Sequence, residues 1–197
     1  MSSPGRADCT LVIGFSVTAN WFEDGAFESM PGIDGDRWEL IVAGGHDVWR
    51  YANPDALPYR TTPVSPCEGE PDRALFQVAA LGWEHHPADE VVAAIRSSID
   101  NIRATWPTVD VVELIPIVGG PGSQPCEATS QPGRTVDASL MNPAMYAAIA
   151  EAVNGNDVVA GPDLLLADCS QYEDGLGHIT SEGSRHIASV LAEYYGT

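Results

Sequence analysis

Hydrophobic and polar positions along this chain follow two alternating periods. Short, unbroken apolar runs that stop at glycine alternate with longer stretches in which apolar residues return every three or four positions. Residues 10–14 (TLVIG) form the first run, 39–43 (ELIVA) the second, stopped by Gly44-Gly45, and 74–81 (ALFQVAAL) the third, stopped by Gly82. Residues 111–118 (VVELIPIV) lead into Gly119-Gly120-Pro121-Gly122, and 158–166 holds a fifth run interrupted by Gly161-Pro162. Runs of this length without polar alternation read as strands buried on both faces of a parallel sheet. Between them, Val91, Val92, Ile95, Ile99, Ile102 and Trp106 mark one face of a helix bounded by Pro87 and Pro107. Asn142-Pro143 reads as an N-cap followed by proline in the first helical turn, opening a helix to about Asn154 with Gly155 as its stop. Ile187, Val190, Leu191 and Tyr194 predict the apolar stripe of a C-terminal helix. The pattern predicts one α/β domain over residues 1–197, a three-layer α/β/α sandwich on a five-stranded parallel sheet. Ligands of such sheets bind beyond the carboxyl ends of the strands, so the strand-terminating loops are where chemistry belongs.

Charge narrows the range of partners. The formal charge is −19, from 28 acidic and 9 basic residues, and all nine are arginine. Such a surface repels phosphate backbones and anionic lipid, which argues against nucleic-acid and membrane partners. Without lysine, Schiff-base chemistry, a Walker phosphate loop and a Ser–Lys dyad are excluded. No apolar run approaches the ~20 residues that span a bilayer. Residues 1–8 are polar and contain no apolar stretch of the signal-peptide kind. Cys67, Cys126 and Cys169 nevertheless lie in loop-like segments, which points to disulfides and an exported protein. Cys126 with Cys169 is the expected bridge, because both follow consecutive strands at one edge of the sheet. The sequence carries no signal for oligomeric state.

Two loops carry the candidate chemistry. Ser16 follows the first strand beside Gly14, in the order Gly14-Phe15-Ser16-Val17-Thr18, where a hydroxyl and a backbone N–H can be presented together. Near the C-terminus, Asp174-Gly175-Leu176-Gly177-His178 precedes Ile179-Thr180-Ser181-Glu182-Gly183 and the last helix. One loop can therefore supply a general base, His178, and the carboxylate that orients it, Asp174. Glu173 is a spare acid.

The first of these loops resembles the G-D-S-x-T block of the GDSL/SGNH hydrolases, and the second resembles their closing D-x-x-H block. Residues 74–96 lie where that family carries L-G-x-N-D, and the order along the chain is the family's own. The resemblance implies Ser16 as nucleophile, His178 as base, Asp174 as acid, and an oxyanion hole drawn from Ser16, Gly45 and position 84, with Gly44 almost as good a match as Gly45. It implies cleavage of carboxylic esters, either small acyl esters or acetylated carbohydrates, through an acyl-enzyme and with no cofactor.

Three departures bear on this. Phe15 replaces the acidic residue of the first block, and the acid stands four residues before the histidine instead of three, a difference that positive φ at Gly175 and Gly177 would absorb. Glu84 stands where the family has an oxyanion-hole asparagine, and loss of one such donor costs roughly 3–4 kcal/mol of barrier. A protonated Glu84, a donor from His85 or His86, or a hole built only from Ser16 and Gly45 N–H groups would each compensate, the last being the preferred reading. A catalytically weak or inactive binding protein of the same fold is the alternative.

Glu84-His85-His86 with His46-Asp47 also raises the question of metal, but E-H-H matches no zinc-protease spacing, and no metal is expected. Trp21, Trp38, Trp49, Tyr51 and Trp83 cluster near the first three strand ends, and Trp49 with Trp83 are candidates for the wall of an acyl or sugar pocket. His186, in the last helix, is assigned no role.

Overall fold

The computed structural model describes residues 7–60, 70–80, 86–122, 125–136 and 143–196. Five strands, β1 (Thr10–Gly14), β2 (Trp38–Val42), β3 (Arg73–Val78), β4 (Val111–Pro116) and β5 (Val158–Ala160), form one sheet in the order β2-β1-β3-β4-β5. All four pairings are parallel, with Thr10 opposite both Trp38 and Arg73. Every residue of β1 and β3 is buried, which is why both runs read as apolar without alternation.

Helices cover both faces. On one face, Leu11, Ile13, Phe76 and Leu114 pack against α4 (Ala88–Thr105) and α5 (Pro143–Ala152). On the other, Val12, Leu75 and Ile115 pack against α6 (Ser181–Tyr195) and the aromatic group Trp21, Phe22 and Phe27. Helix α4 buries Val91, Val92, Ile95, Ile99 and Ile102, the predicted stripe, and adds Ala94 and Ser98. Helix α5 begins at Pro143, and Asn142 lies outside the described residues.

Some expectations are corrected. The fifth strand is only Val158–Ala160; Gly161 N–H still donates to the Leu114 carbonyl at 2.9 Å, but Gly161-Pro162 ends the ladder, and further on Leu165 makes an isolated parallel bridge to Gly119. The buried stripe of α6 is Ser184, Ile187, Ala188, Leu191 and Ala192, rotated away from Val190 and Tyr194. Small residues let the helix lie close to the Trp21 segment, so Ala188 and Ala192 are covered. Short helices α1 (Ser16–Ala19), α2 (Val48–Tyr51) and α3 (Leu57–Arg60) fill the connections, and α1 runs into a π-helical turn, Asn20–Asp24.

Strand order sets the site. The chain leaves β1 to one side for β2 and returns to the other for β3, so the loops beyond β1 and β3 diverge at a topological switch point. Ser16 stands in the first of those loops. Among the described residues, no helix is long and apolar enough to cross a membrane.

Candidate active site

Ser16 is the first residue of α1, one step beyond the buried turn Gly14-Phe15. Two close approaches shape that turn. A Cβ on Gly14 would lie 1.9 Å from Thr18 Oγ1, so only glycine lets Thr18 fold back over the strand end. Gly14's carbonyl accepts from the Tyr51 hydroxyl and from Ala43 N–H at 3.2 Å, which ties the turn to the loop after β2.

The loop of Asp174 and His178 is built as a narrow antiparallel return. Tyr172 bridges Ile179, Glu173 N–H donates to the His178 carbonyl at 2.7 Å, and Thr180 N–H donates to the Gln171 carbonyl at 2.9 Å. Gly177 takes φ +87° and turns the chain back. Gly175 has no positive φ, so the longer spacing is accommodated at Gly177 alone, a correction to the expectation for both glycines. The Tyr172 hydroxyl, fully buried, anchors the loop to the Val118 carbonyl at 2.9 Å. Behind the loop, Thr129 and Ser130 N–H donate to the Tyr172 and Glu173 carbonyls, and the Cys126–Cys169 disulfide joins the two segments. Cys9 is disulfide-bonded as well.

These two constructions meet. Ser16 Oγ lies 2.8 Å from His178 Nε2, and His178 Nδ1 lies 2.6 Å from Asp174 Oδ2. The other carboxylate oxygen, Asp174 Oδ1, accepts from Leu176 N–H at 2.9 Å and His178 N–H at 3.1 Å. Partial burial pushes the Asp174 carboxyl up, but these hydrogen bonds from His178 and Leu176 outweigh it and hold the group below the ordinary aspartate value. An ionised carboxylate only accepts, so Nδ1 carries a proton and donates it, and in the neutral ring Nε2 is left as an acceptor for the Ser16 hydroxyl. Glu173 is exposed and takes part through its backbone.

The turn after β2 flanks Ser16. His46 N–H closes it on the Ala43 carbonyl at 3.1 Å, and Gly45 sits at φ +68°, a conformation that favours glycine. A Cβ at Gly44 or Gly45 would meet nothing within 4 Å, so the turn borders open space. Among the described residues, the N–H groups of Ser16, Gly44 and Gly45 have no hydrogen-bond acceptor.

Trp49 is half-buried and stacks on His86 at 4.3 Å between ring centroids. Trp21 and Trp38 are core residues of the α6 face, and Tyr51 of the opposite face. Trp38 begins β2, so it lies at the far end of the sheet from Ser16. Trp83, Glu84 and His85 lie outside the described residues. Among the described residues, no three His, Cys, Asp or Glu side chains are grouped to hold a metal. His46 contacts the Gly44 carbonyl, Asp47 caps α2, and His186 donates to the Leu165 carbonyl. Sequence reading missed the hydroxyl of Tyr51 and the amide of Gln77 beneath the turn. Gln77 had one visible signal, a lone amide inside an apolar strand.

No protein-family model matches the chain, and no curated protein does. Solved structures do. A carbohydrate esterase of family 3 from Talaromyces cellulolyticus superposes with a TM-score of 0.54 at 16% identity, covering 94% of this chain and 95% of that one. A candidate SGNH hydrolase from Slackia heliotrinireducens gives a TM-score of 0.55 at 17% identity, covering 96% and 99%. The likeness runs nearly end to end in both, and the fold of this chain is the α/β fold of SGNH hydrolases.

Proposed function

We propose that this protein is an SGNH-type serine hydrolase that cleaves carboxylic esters through an acyl-enzyme on Ser16. The observation that carries this reading is the continuous hydrogen-bonded relay Ser16–His178–Asp174, whose members are 162 and 4 residues apart. A serine and a histidine so distant in sequence, aligned at 2.8 Å on an acid of lowered pKa, are arranged as a nucleophile and its base are.

In the reaction, Ser16 Oγ attacks the ester carbonyl carbon while His178 Nε2 takes its proton. Asp174 holds the imidazolium that forms. Negative charge collects on the former carbonyl oxygen, where the N–H groups of Ser16 and Gly45 receive it. Collapse expels the alcohol, which takes the proton from His178. Water then enters by the same route, with His178 again as base, and releases the acid. No cofactor has a step to perform. The substrates are small acyl esters or acetylated carbohydrates, a choice supported by the likeness to a carbohydrate esterase. The disulfide-bonded Cys9, Cys126 and Cys169 suit an exported protein in an oxidising compartment.

A fluorophosphonate probe tests this directly. The folded protein should be labelled at Ser16, labelling should disappear in Ser16→Ala, and hydrolysis of p-nitrophenyl acetate should disappear with it. An intact fold that takes no label would favour a binding protein of the same architecture. Activity that survives Ser16→Ala but not a chelator would overturn the serine mechanism.

A further inference from the structure

Beneath the nucleophile turn runs a polar chain that the acyl-transfer steps do not use. Gln77 is the penultimate residue of β3, on the same face as Leu75 and Ala79, and is 1% exposed. Its Oε1 accepts from Thr18 Oγ1 at 2.7 Å and from Trp21 Nε1 at 3.1 Å, and its Nε2 donates to the Pro116 carbonyl at 3.2 Å. Chemistry fixes the direction of each bond. An indole N–H only donates and a carbonyl only accepts, so the amide oxygen must face Trp21 and the amide nitrogen must face Pro116. The Thr18 hydroxyl proton is thereby committed to Gln77, and its lone pairs are turned towards Phe15, whose N–H donates to Thr18 Oγ1 at 2.9 Å.

Phe15 is the residue before the nucleophile, in extended geometry at φ −131° and ψ −164°. Its side chain has no oxygen with which to cap α1, and a four-residue helix is too short to hold its own geometry. The Phe15 N–H is buried, so without Thr18 it would be left unsatisfied. Rotation about the Phe15–Ser16 linkage would move Ser16 Oγ and Ser16 N–H together, because both hang on the residue that follows.

We propose that Gln77 is a positioning residue for ester hydrolysis: through Thr18 it fixes the turn that presents both the Ser16 hydroxyl and the Ser16 N–H. The proposal rests on the reading of Ser16 as nucleophile. It locates in β3 a determinant of turnover that touches neither substrate nor His178.

Four variants test it, with active sites counted by fluorophosphonate titration so that unfolded protein does not enter the rate. Thr18→Ser keeps the hydroxyl and should turn over p-nitrophenyl acetate nearly as the parent does. Thr18→Val keeps the shape but not the hydroxyl, and Gln77→Leu removes the acceptor. Each should lower kcat about 10- to 100-fold with little change in KM, the scale of a misplaced nucleophile. Gln77→Glu adds a signature that a purely structural role would not give. A protonated carboxyl at 77 can donate to the Pro116 carbonyl and accept from Thr18, whereas its ionised form cannot donate, so activity should gain a falling limb at rising pH that the parent lacks. Normal kcat per titrated site in Thr18→Val and Gln77→Leu overturns the proposal. If the parent takes no label, the hydrolase reading fails, and crystal structures of Thr18→Val and Thr18→Ser then decide the positioning claim. Separation of Ser16 Oγ and His178 Nε2 beyond about 3.5 Å in the valine variant alone supports it; contact kept in both variants ends it.

Discussion

Asp174 governs the protonation pattern of the relay through both of its oxygens. Oδ1 is held by two backbone N–H donors, from Leu176 and His178, and Oδ2 faces His178 Nδ1. Asparagine at this position would keep its carbonyl oxygen on the two N–H donors and turn its NH2 towards Nδ1. That reverses the tautomer: Nε2 would carry the proton and could not accept one from Ser16. Asp174→Asn should therefore lower kcat by about 10³- to 10⁴-fold with the fold intact, and a loss under tenfold in steady-state assays would show that the carboxylate is not the orienting group. Acid stability should change in step. The folded pKa of Asp174 is lowered, so its stabilising contribution is present above the unfolded value near 3.8 and lost as pH falls through the folded one. Urea titrations should show the parent's advantage over Asp174→Asn at neutral pH shrinking at more acid pH. Ser16, Asp174 and His178 were legible because each sits in a short loop beside glycines, at a strand or helix end. Gln77 was not: its partners Thr18, Trp21 and Pro116 come from three separate segments, and only their meeting gives the amide a purpose.

Elements were legible to the degree that their periodicity was long. The 18-residue α4 was predicted almost residue for residue, since it carries enough turns to define its period, and β1 at its observed limits, since its unbroken apolar run stops at Gly14. Helices α1, α2 and α3, of four residues each, carry too few. The α6 stripe was misread by following large side chains, when the buried face includes the small residues Ser184, Ala188 and Ala192. The Cys126–Cys169 bridge was anticipated from strand order, and it encloses a 43-residue separation. Loop-closure entropy for a span of that size is worth about 4 kcal/mol. Replacing both cysteines by alanine should lower unfolding free energy by about 2–4 kcal/mol in denaturant titrations. It should also slow turnover at temperatures where the variant stays folded, because the bridge ties the segment of Thr129 and Ser130 to the short helical turn at Cys169 that leads into the loop of Asp174. A variant less stable but equally fast would show that the hydrogen bonds from Thr129 and Ser130 are brace enough.

At the scale of the whole molecule, charge is the dominant feature, and it bears on substrate choice more than on the fold. The excess of 28 acidic over 9 basic residues leaves few cations to offset it, and several are occupied. Arg73 is buried beside Glu113 at 3.9 Å, between the rings of Trp38 and Tyr195, while Arg37 and Arg103 pair with Asp34 and Asp157. Burial pushes the Glu113 carboxyl up against the opposing pull of Arg73, and Arg73 itself is only 7% exposed, so its charge is set back from the surface that a substrate meets. An approaching anion therefore meets a repulsive potential, whose reach is the Debye length, about 30 Å at 0.01 M salt and about 3 Å at 1 M. Phenyl acetate and 4-carboxyphenyl acetate differ chiefly in one negative charge. At low salt the neutral ester should be favoured in kcat/KM by several-fold, and rising salt should erase most of that preference by raising the rate for the anion alone. A ratio that stays flat across the same range would mean that the charge surrounding Ser16 is locally balanced, and that the −19 of the chain resides on surfaces a substrate never passes.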